Sequence, residues 1–523
     1  MEKERKISKK LTDLFNAGFF WTFIVLFALV AVIGYFLVSV FGETGEGTPA
    51  PFLSVFLQHT SILLCFAGLT GIFVLCAHRL RSGQLNSRFK LTFTATVITA
   101  VVLMLAVQLT CAYLLRMNPI TDISRIDTYA QKIVTENSFD CIRDGYNDFY
   151  IVRYQNNLPY LLIVTLFYKV TYLVTGSFSR APIIVFNVLC INLAVLLTVL
   201  LSRRIFGERK ALLTLLLCLL FAPYYTFAPY FYTDSFSIPF TVGTVYAFVA
   251  AIQSSGKKKL LLLLLCGALC CIGFKIKGSL IILIPAFIIY LLLQYGFKRC
   301  LKMTAAFLLS FVILLASYTG FVKASNIIPE DVSQRWQYPY THWLMIGLND
   351  YGAYTLEDNH YTYEYEGIEA KKQANLEEIQ RRFAQKGFWG TILHVGIKAV
   401  WTHMDGTYYI ANYLEDYQER CALHSLLLYE GRFHPAFYAY SCGFQLFLLF
   451  IMAYSAKRAW KQHKRDITTL FRIAVFGMFL FFLIWETNAR YPYNFTPLYL
   501  LIATDGTAKL AERFAEHRRT KAK

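Results

Sequence analysis

Twelve apolar runs dominate the 523-residue chain, at 17–41, 54–77, 91–115, 181–202, 211–229, 236–253, 259–274, 279–296, 303–322, 435–455, 469–486 and 494–508. A helix needs about 20 mostly apolar residues to cross the hydrocarbon core of a bilayer, where every backbone N–H and C=O must be satisfied internally. Each run approaches that length. The first is too long for a signal-peptide core and has no small-residue cleavage pattern, so it reads as a span. The expected fold class is an all-α polytopic membrane protein with about 12 transmembrane helices. Composition agrees, with 56 % hydrophobic and only 16 % charged residues, where a soluble domain carries about 25 % charged. The 35 tyrosines suit membrane interfaces, where one end of the ring is apolar and the other wet.

The net charge of +18 would suggest nucleic acid in a soluble protein. Here the basic residues lie in short runs between apolar segments, which excludes that reading and marks cytoplasmic anchors. The runs are Lys3 to Lys10, Arg79 to Lys90, Arg203 to Lys210, Lys257 to Lys259, Lys298 to Lys302, Lys457 to Arg465 and Arg518 to Lys523. Twelve spans put all of them on one side with both termini. Segments 158–176 and 388–403 are also apolar, but counting either as a crossing would break that agreement. Both are therefore read as juxtamembrane or re-entrant pieces on the outer face.

Four regions follow. Residues 1–90 form a cytoplasmic segment and an extra hairpin. Residues 91–322 form the core, with a first outer loop at 116–180. Residues 323–434 form a second outer loop, and 435–523 the last helices and a basic tail. Within the second loop, 368–385 shows charges at helical spacing, as on a solvated helix face. No P-loop, dinucleotide-binding glycine pattern, nucleophile elbow or zinc-protease motif is present. The 12 cysteines form no metal-ligand pattern, and most sit inside apolar runs as small apolar residues. Cys141 and Cys421 both fall in the outer loops, where a pairing between them stays open.

What remains is a set of ionisable residues at the outer ends of spans, where charge is expensive and faces a cavity or a partner. Asp122 follows the third run and is placed to take a proton from a hydroxyl, or to cap a helix starting near Ile123. Asp127 lies one turn on, free to act with Asp122 or to pair with Arg125. Asp234 opens the run at 236–253 and is also a cap candidate. Lys275 and Lys277 break the positive-inside pattern, which is explained by an anion such as phosphate or by snorkelling. Arg490 offers a planar fork matched to phosphate oxygens, or pairs with Glu486 four residues earlier.

These positions together resemble the C-type (GT-C fold) polytopic membrane glycosyltransferases that use lipid-linked sugars, in the protein O-mannosyltransferase and aminoarabinose-transferase branch. Asp122 with Ala130 matches the acidic residue and alanine after an early span. Ile123 departs from the usual second acid, and Tyr129 is displaced from the usual tyrosine. Other segments are similar to a bacterial subgroup. They include Tyr150 to Asn157, with Gln155 in place of proline, Arg203 to Gly207, and Tyr232-Thr-Asp234. Further on they include His342 to Gly347, Gly352 to Tyr354, Lys398 to Trp401, Asp405 to Tyr408, and Glu486 to Tyr491.

The resemblance implies an inverting glycosyltransferase that moves a sugar from a polyprenyl-phosphate donor to an envelope polymer, lipid or protein. It implies a plasma-membrane protein with its active site on the outer face. Asp122, with Asp127 as the alternative, would be the general base. Arg490, Lys275 and Lys277 would bind the donor phosphate. Tyr154, Asn156, Asp234, His342, Asp405, Glu486 and Tyr491 would line the cavity. The resemblance makes no cofactor certain. A divalent cation between Asp122 and Asp234 stays open. The rival classes are a lipid-linked saccharide transporter or flippase and an envelope polysaccharide polymerase or ligase.

Overall fold

A computed structural model describes residues 2–42, 52–82, 92–461 and 466–521. Of the basic runs, Arg88, Lys90, Lys464, Arg465 and Lys523 lie outside the described residues. Among the described residues there is no strand, and one isolated antiparallel bridge joins Met117 to Tyr417. The longer helices are α1 (Glu2–Gly42), α2 (Phe52–Ser82), α3 (Phe93–Leu114), α4 (Thr121–Glu136) and α5 (Leu158–Thr175). They continue with α6 (Ala181–Phe206), α7 (Glu208–Leu219), α8 (Thr233–Ile252), α9 (Gly256–Ile276) and α10 (Leu283–Tyr295). The last are α11 (Phe297–Ala324), α12 (Ile368–Met404), α13 (His434–Lys461), α14 (Thr468–Ile484) and α15 (Thr496–Lys521).

The protein is an all-α polytopic membrane protein, and ten of its described helices are long and apolar enough to cross a membrane. The expected run at 211–229 is not one of them. It forms α7, a break, and a one-turn helix at Pro223–Thr226, because Pro223 and Pro229 cannot continue a helix ladder. α14 is a shorter apolar helix of 17 residues, and α15 opens with a buried stretch that carries Asp505 and Lys509. In their place, Gln155–Thr175 has the length and composition of a crossing.

α5 packs on the polar helix α4. Asn157 and Tyr150 meet at its start beside Asp122, Tyr168 donates to Asp127, and Lys169 meets Asn137 at its end. The exposed side of α5 is apolar, with Leu166, Val170, Leu173 and Val174. Segment 388–403 is the second half of α12, past a kink at Gly387. It descends beside α1, where Met404 packs on Gly34.

α8, α13 and the first half of α15 form the centre of the bundle and are buried almost all round. Peripheral helices expose leucine and valine, as at Leu64, Leu103, Leu261, Leu309 and Val312, which is the surface a bilayer covers. The basic ends of α2, α6 and α7 meet at one end. Arg209 donates to the Arg81 carbonyl at 3.0 Å, and Arg204 donates to Gln253 at the end of α8 at 2.7 Å. Gly207 makes the tight α6–α7 turn at φ 83°, a left-handed value that glycine adopts without strain.

The long loops gather at the opposite end and are fastened to each other. Asn118 donates its backbone N–H to Asp416 at 2.7 Å, Gln418 donates to Arg116 at 2.9 Å, and Arg116 pairs with Glu419 at 2.7 Å. Irregular backbone inside a membrane bundle survives only where its polar groups are satisfied. For the break after α7, Gln108 donates to the Tyr224 carbonyl at 2.9 Å. Asn187 donates to the carbonyls of Phe227 and Ala228 at 3.0 Å each. These two amides fix the segment that delivers Tyr230, Tyr232 and Asp234 to the loop end.

Candidate active site at the loop end of the bundle

Four chain segments bring four charges together. Asp122 lies in the first turn of α4, Asp234 in the first turn of α8, Lys277 just past α9, and Arg490 in the turn between α14 and α15. Neither aspartate is an N-cap. The cap positions fall on Ile120 and Tyr232, without a side-chain cap bond, and both carboxylates turn to partners distant in sequence.

Asp234 is fully buried. It pairs with Lys277 and with Arg490 Nη1 at 3.4 Å. Burial pushes the Lys277 ammonium down from its usual range, with Asp234 opposing. Arg490 donates to Tyr230 Oη and lies over the rings of Tyr413 at 4.9 Å and Tyr232 at 5.1 Å. Its Nε is buried without a partner, so the guanidinium keeps an unspent donor.

Asp122 is the exposed member, with 37 % of its side chain open. Its Oδ1 accepts from Tyr150 Oη at 2.7 Å and its Oδ2 from Tyr232 Oη at 3.1 Å. Arg490 Nη2 stands 3.8 Å from Oδ2. Two phenols thus fix the carboxylate plane, while further lone pairs stay open to a ligand. Burial, then the charge of Asp122, pushes the Tyr150 phenol well up, so Tyr150 serves as a donor. Asn157 Nδ2 donates to Tyr150 Oη at 2.8 Å and completes the chain.

The intrahelical pair of Glu486 with Arg490 does not form, because α14 ends at Ile484. Glu486 accepts from Tyr491 Oη at 2.7 Å instead. Burial pushes its carboxyl up to about 7, with Asp122 adding to the rise and Tyr491 opposing it. Lys277 lies over the Tyr491 ring at 4.9 Å.

Several expected site residues stand elsewhere. Asp127 is locked away from the cluster by both Arg180 nitrogens, at 2.9 and 3.2 Å, and by Gln131 at 2.8 Å. It fastens α4 to α5 and the start of α6, and is not paired with Arg125. Lys275 ends α9 and points to the Tyr318 ring at 4.3 Å, while Lys277, in extended backbone at φ −144°, turns back to Asp234. Asn156 is exposed and its buried neighbour Asn157 reaches the site. Asp405 accepts from the backbone of Thr407 and Tyr409 at 2.8 Å each and organises its own turn. Tyr154 and His342 sit beside the cluster in an aromatic wall.

The two carboxylates do converge, but on Arg490, with Lys277 on Asp234 alone. Among the described residues no group of three or more His, Cys, Asp or Glu could hold a metal ion. Cys141 and Cys421 are both free thiols, so the open pairing between them is not made. Sequence reasoning missed Tyr230 and Tyr413, and placed Tyr150, Asn157 and Tyr232 within motifs without giving them a role in the site. The aromatic-rich run Tyr230-Phe-Tyr-Thr-Asp234 was the available signal.

A search among curated proteins finds no match. Among solved structures, the chain is similar to crystal structures of ArnT from Cupriavidus metallidurans. The apo state aligns over 79 % of this chain and 78 % of that one, at 14 % identity and a TM-score of 0.38. The form bound to undecaprenyl phosphate aligns over the same shares at 14 % identity and a TM-score of 0.36. A family model matches residues 10–509, nearly the whole chain from α1 to α15. The protein belongs to the family described as conserved hypothetical integral membrane protein.

Proposed function

We propose that this protein is a membrane glycosyltransferase that moves a sugar from a polyprenyl-phosphate donor to an acceptor hydroxyl at the outer face of the plasma membrane. One observation carries the reading. A part-exposed carboxylate, Asp122, is held by two tyrosines 3.8 Å from Arg490, beside a second buried cation, Lys277. A base for the acceptor hydroxyl and two cations for the leaving phosphate thus meet in one site.

In that displacement the acceptor O–H gives its proton to Asp122 as its oxygen bonds the anomeric carbon. The bond from that carbon to the phosphate oxygen breaks on the opposite face, inverting the centre. The phosphate monoester leaves with an added negative charge. Arg490 and Lys277 stabilise that charge in a site largely closed to water, where such donors act most strongly. Asp234 keeps the two cations side by side before the lipid arrives. General-base help contributes about 10²–10⁴-fold.

The test is transfer by purified protein in lipid from a panel of labelled polyprenyl-phosphate sugars, wild type beside Asp122→Asn. Turnover by the wild type and none by the folded variant supports the reading. Wild-type turnover in the variant refutes the base. A second reading is a lipid-linked saccharide transporter, favoured by Arg472. This arginine is fully buried inside the bundle with Asp505 at 3.2 Å and Ser455 at 2.6 Å, and ionisable residues within spans mark transport pathways. Lipid movement across the bilayer that survives Asp122→Asn but not Arg472→Gln selects it.

A further inference from the structure

Two polar groups beside the site are left without work. The Tyr154 hydroxyl is buried with no partner. His342 is fully buried, and its Nδ1 lies 2.8 Å from Thr362 Oγ1. Thr362 gives its one hydroxyl proton to Asn375 Oδ1 at 3.0 Å, so His342 Nδ1 carries the proton of that contact. Burial holds His342 neutral, with its pKa down to about 3. Nε2 is then a bare acceptor, and it too has no partner. Buried polar atoms in folded proteins are paired with few exceptions, and an orphan calls for a partner.

Both groups belong to one aromatic wall made from the two long loops. The Tyr154 ring lies 5.3 Å from Tyr338 and 6.2 Å from both His342 and Trp343. On its other side it lies 5.2 Å from Tyr150, whose hydroxyl holds Asp122. Trp343 stacks on Trp485 at 5.8 Å, and both indoles are half-buried. The Glu486 N–H donates to the Trp343 carbonyl at 2.9 Å. The wall therefore runs from Tyr150, beside the base, to Trp485 and the backbone of Glu486.

Its position fixes which reactant it meets. Resting on the transfer reaction proposed above, the leaving phosphate takes the side of Asp122 that holds Arg490 and Lys277. Arg490 stands on Oδ2 of Asp122 and Tyr150 on Oδ1, so a hydroxyl that gives its proton to Oδ1 lies against Tyr150 and Tyr154. A bare imidazole nitrogen needs a donor, a phenol takes either role, and the half-buried Trp343 indole, backed on one face by Trp485, suits the C–H face of a pyranose ring. We propose that the acceptor is a saccharide unit bound on this wall, with ring hydroxyls meeting His342 Nε2 and Tyr154 Oη. A peptide serine or a long-chain alcohol brings one hydroxyl and no ring face.

Binding is measured without transfer, by calorimetry on Asp122→Asn protein in lipid. Free disaccharides of glucose, galactose and N-acetylglucosamine are compared with a serine/threonine peptide and dodecanol. We expect at least one disaccharide to bind, and Tyr154→Phe and His342→Phe each to weaken it about tenfold. In the otherwise native protein these two substitutions raise the acceptor KM by a similar factor and leave the donor KM unchanged. Because the Tyr154 hydroxyl is buried and makes no bond within the protein, Tyr154→Phe does not lower stability, so weaker binding is not misfolding. Equal affinity in both variants, or binding of the peptide or dodecanol but of no sugar, overturns the proposal. Transfer that persists in Asp122→Asn, with the acceptor KM effects intact, sinks the base reading alone.

Discussion

Asp234→Asn tests how the cations of the site are held. The wild-type carboxylate is fully buried and faces Lys277 and Arg490 together. At 3.4 Å from Arg490, a unit charge pair at an effective dielectric near 20 is worth about 5 kcal/mol before desolvation. Most of that attraction offsets the cost of burying the charges. Removing one partner is different, because it strands the others, at about 3–5 kcal/mol for a buried pair. Asparagine keeps the volume and one acceptor oxygen and leaves Asp122 to share Arg490, so a loss near 3 kcal/mol is expected. The assay is reversible unfolding in mixed micelles, run as a double-mutant cycle with Lys277→Met. Removing the lysine relieves the repulsion that Asp234→Asn exposes. The double variant should therefore be more stable than the sum of the two losses predicts, by about 1.5 kcal/mol or more. Strict additivity, or an Asp234→Asn variant as stable as wild type, refutes the picture of one aspartate restraining two cations.

Asp127→Asn should lower stability by loosening the tie of α4 to Arg180 while leaving kcat within about threefold of wild type, measured by transfer in lipid. A hundredfold loss of kcat with normal stability would return Asp127 to the chemistry. Tyr150→Phe removes a hydrogen bond to a charged group, worth about 1.5–3 kcal/mol. It should reduce kcat roughly ten- to hundredfold with donor KM unchanged. Glu486 sets a pH dependence of stability. Its folded-state pKa, raised to about 7 by burial, lies above the ordinary value. The folded protein then holds a proton that the unfolded chain has lost between pH ~4.5 and ~7, and stability falls as pH rises through that window, by about 3 kcal/mol. Glu486→Gln should flatten that fall in unfolding measured from pH 4.5 to 7. An unchanged slope would show that Glu486 is not the group responsible. Lys398, pushed down to about 7 by burial, acts above that pH and in the opposite sense.

The spans and the four charges were legible because each is a local signal. A run of about 20 apolar residues states its own burial, and a charge at the end of such a run states a cost that something must offset. Asp122, Asp234, Lys277 and Arg490 were all visible in that way, although up to 368 residues separate them in the chain. Choosing between Lys275 and Lys277 was not local. One is in the last helical turn and the other in extended backbone, so two residues of separation send them to opposite partners. Asp127 misled for a related reason. A carboxylate one turn from a candidate base shares its sequence signal, and only the return of Arg180 across 53 residues separates their roles.

The tyrosines were hidden by abundance, since among 35 of them the identity of a residue says nothing about where its hydroxyl points. What directs Tyr230 and Tyr232 is the break after α7. Pro223 and Pro229 carry the signal for it, although the run 211–229 reads as one span. The break is possible because Gln108 and Asn187, polar residues inside two other apolar runs, face its carbonyls. An amide within a membrane helix is a local cost, and its compensation lies in whatever irregular backbone it satisfies. Asn187 and Gln108 therefore bear on the reaction without touching it. Asn187→Leu strands the Phe227 and Ala228 carbonyls, and the segment they belong to carries both the phenol that holds Asp122 and the carboxylate that holds Arg490.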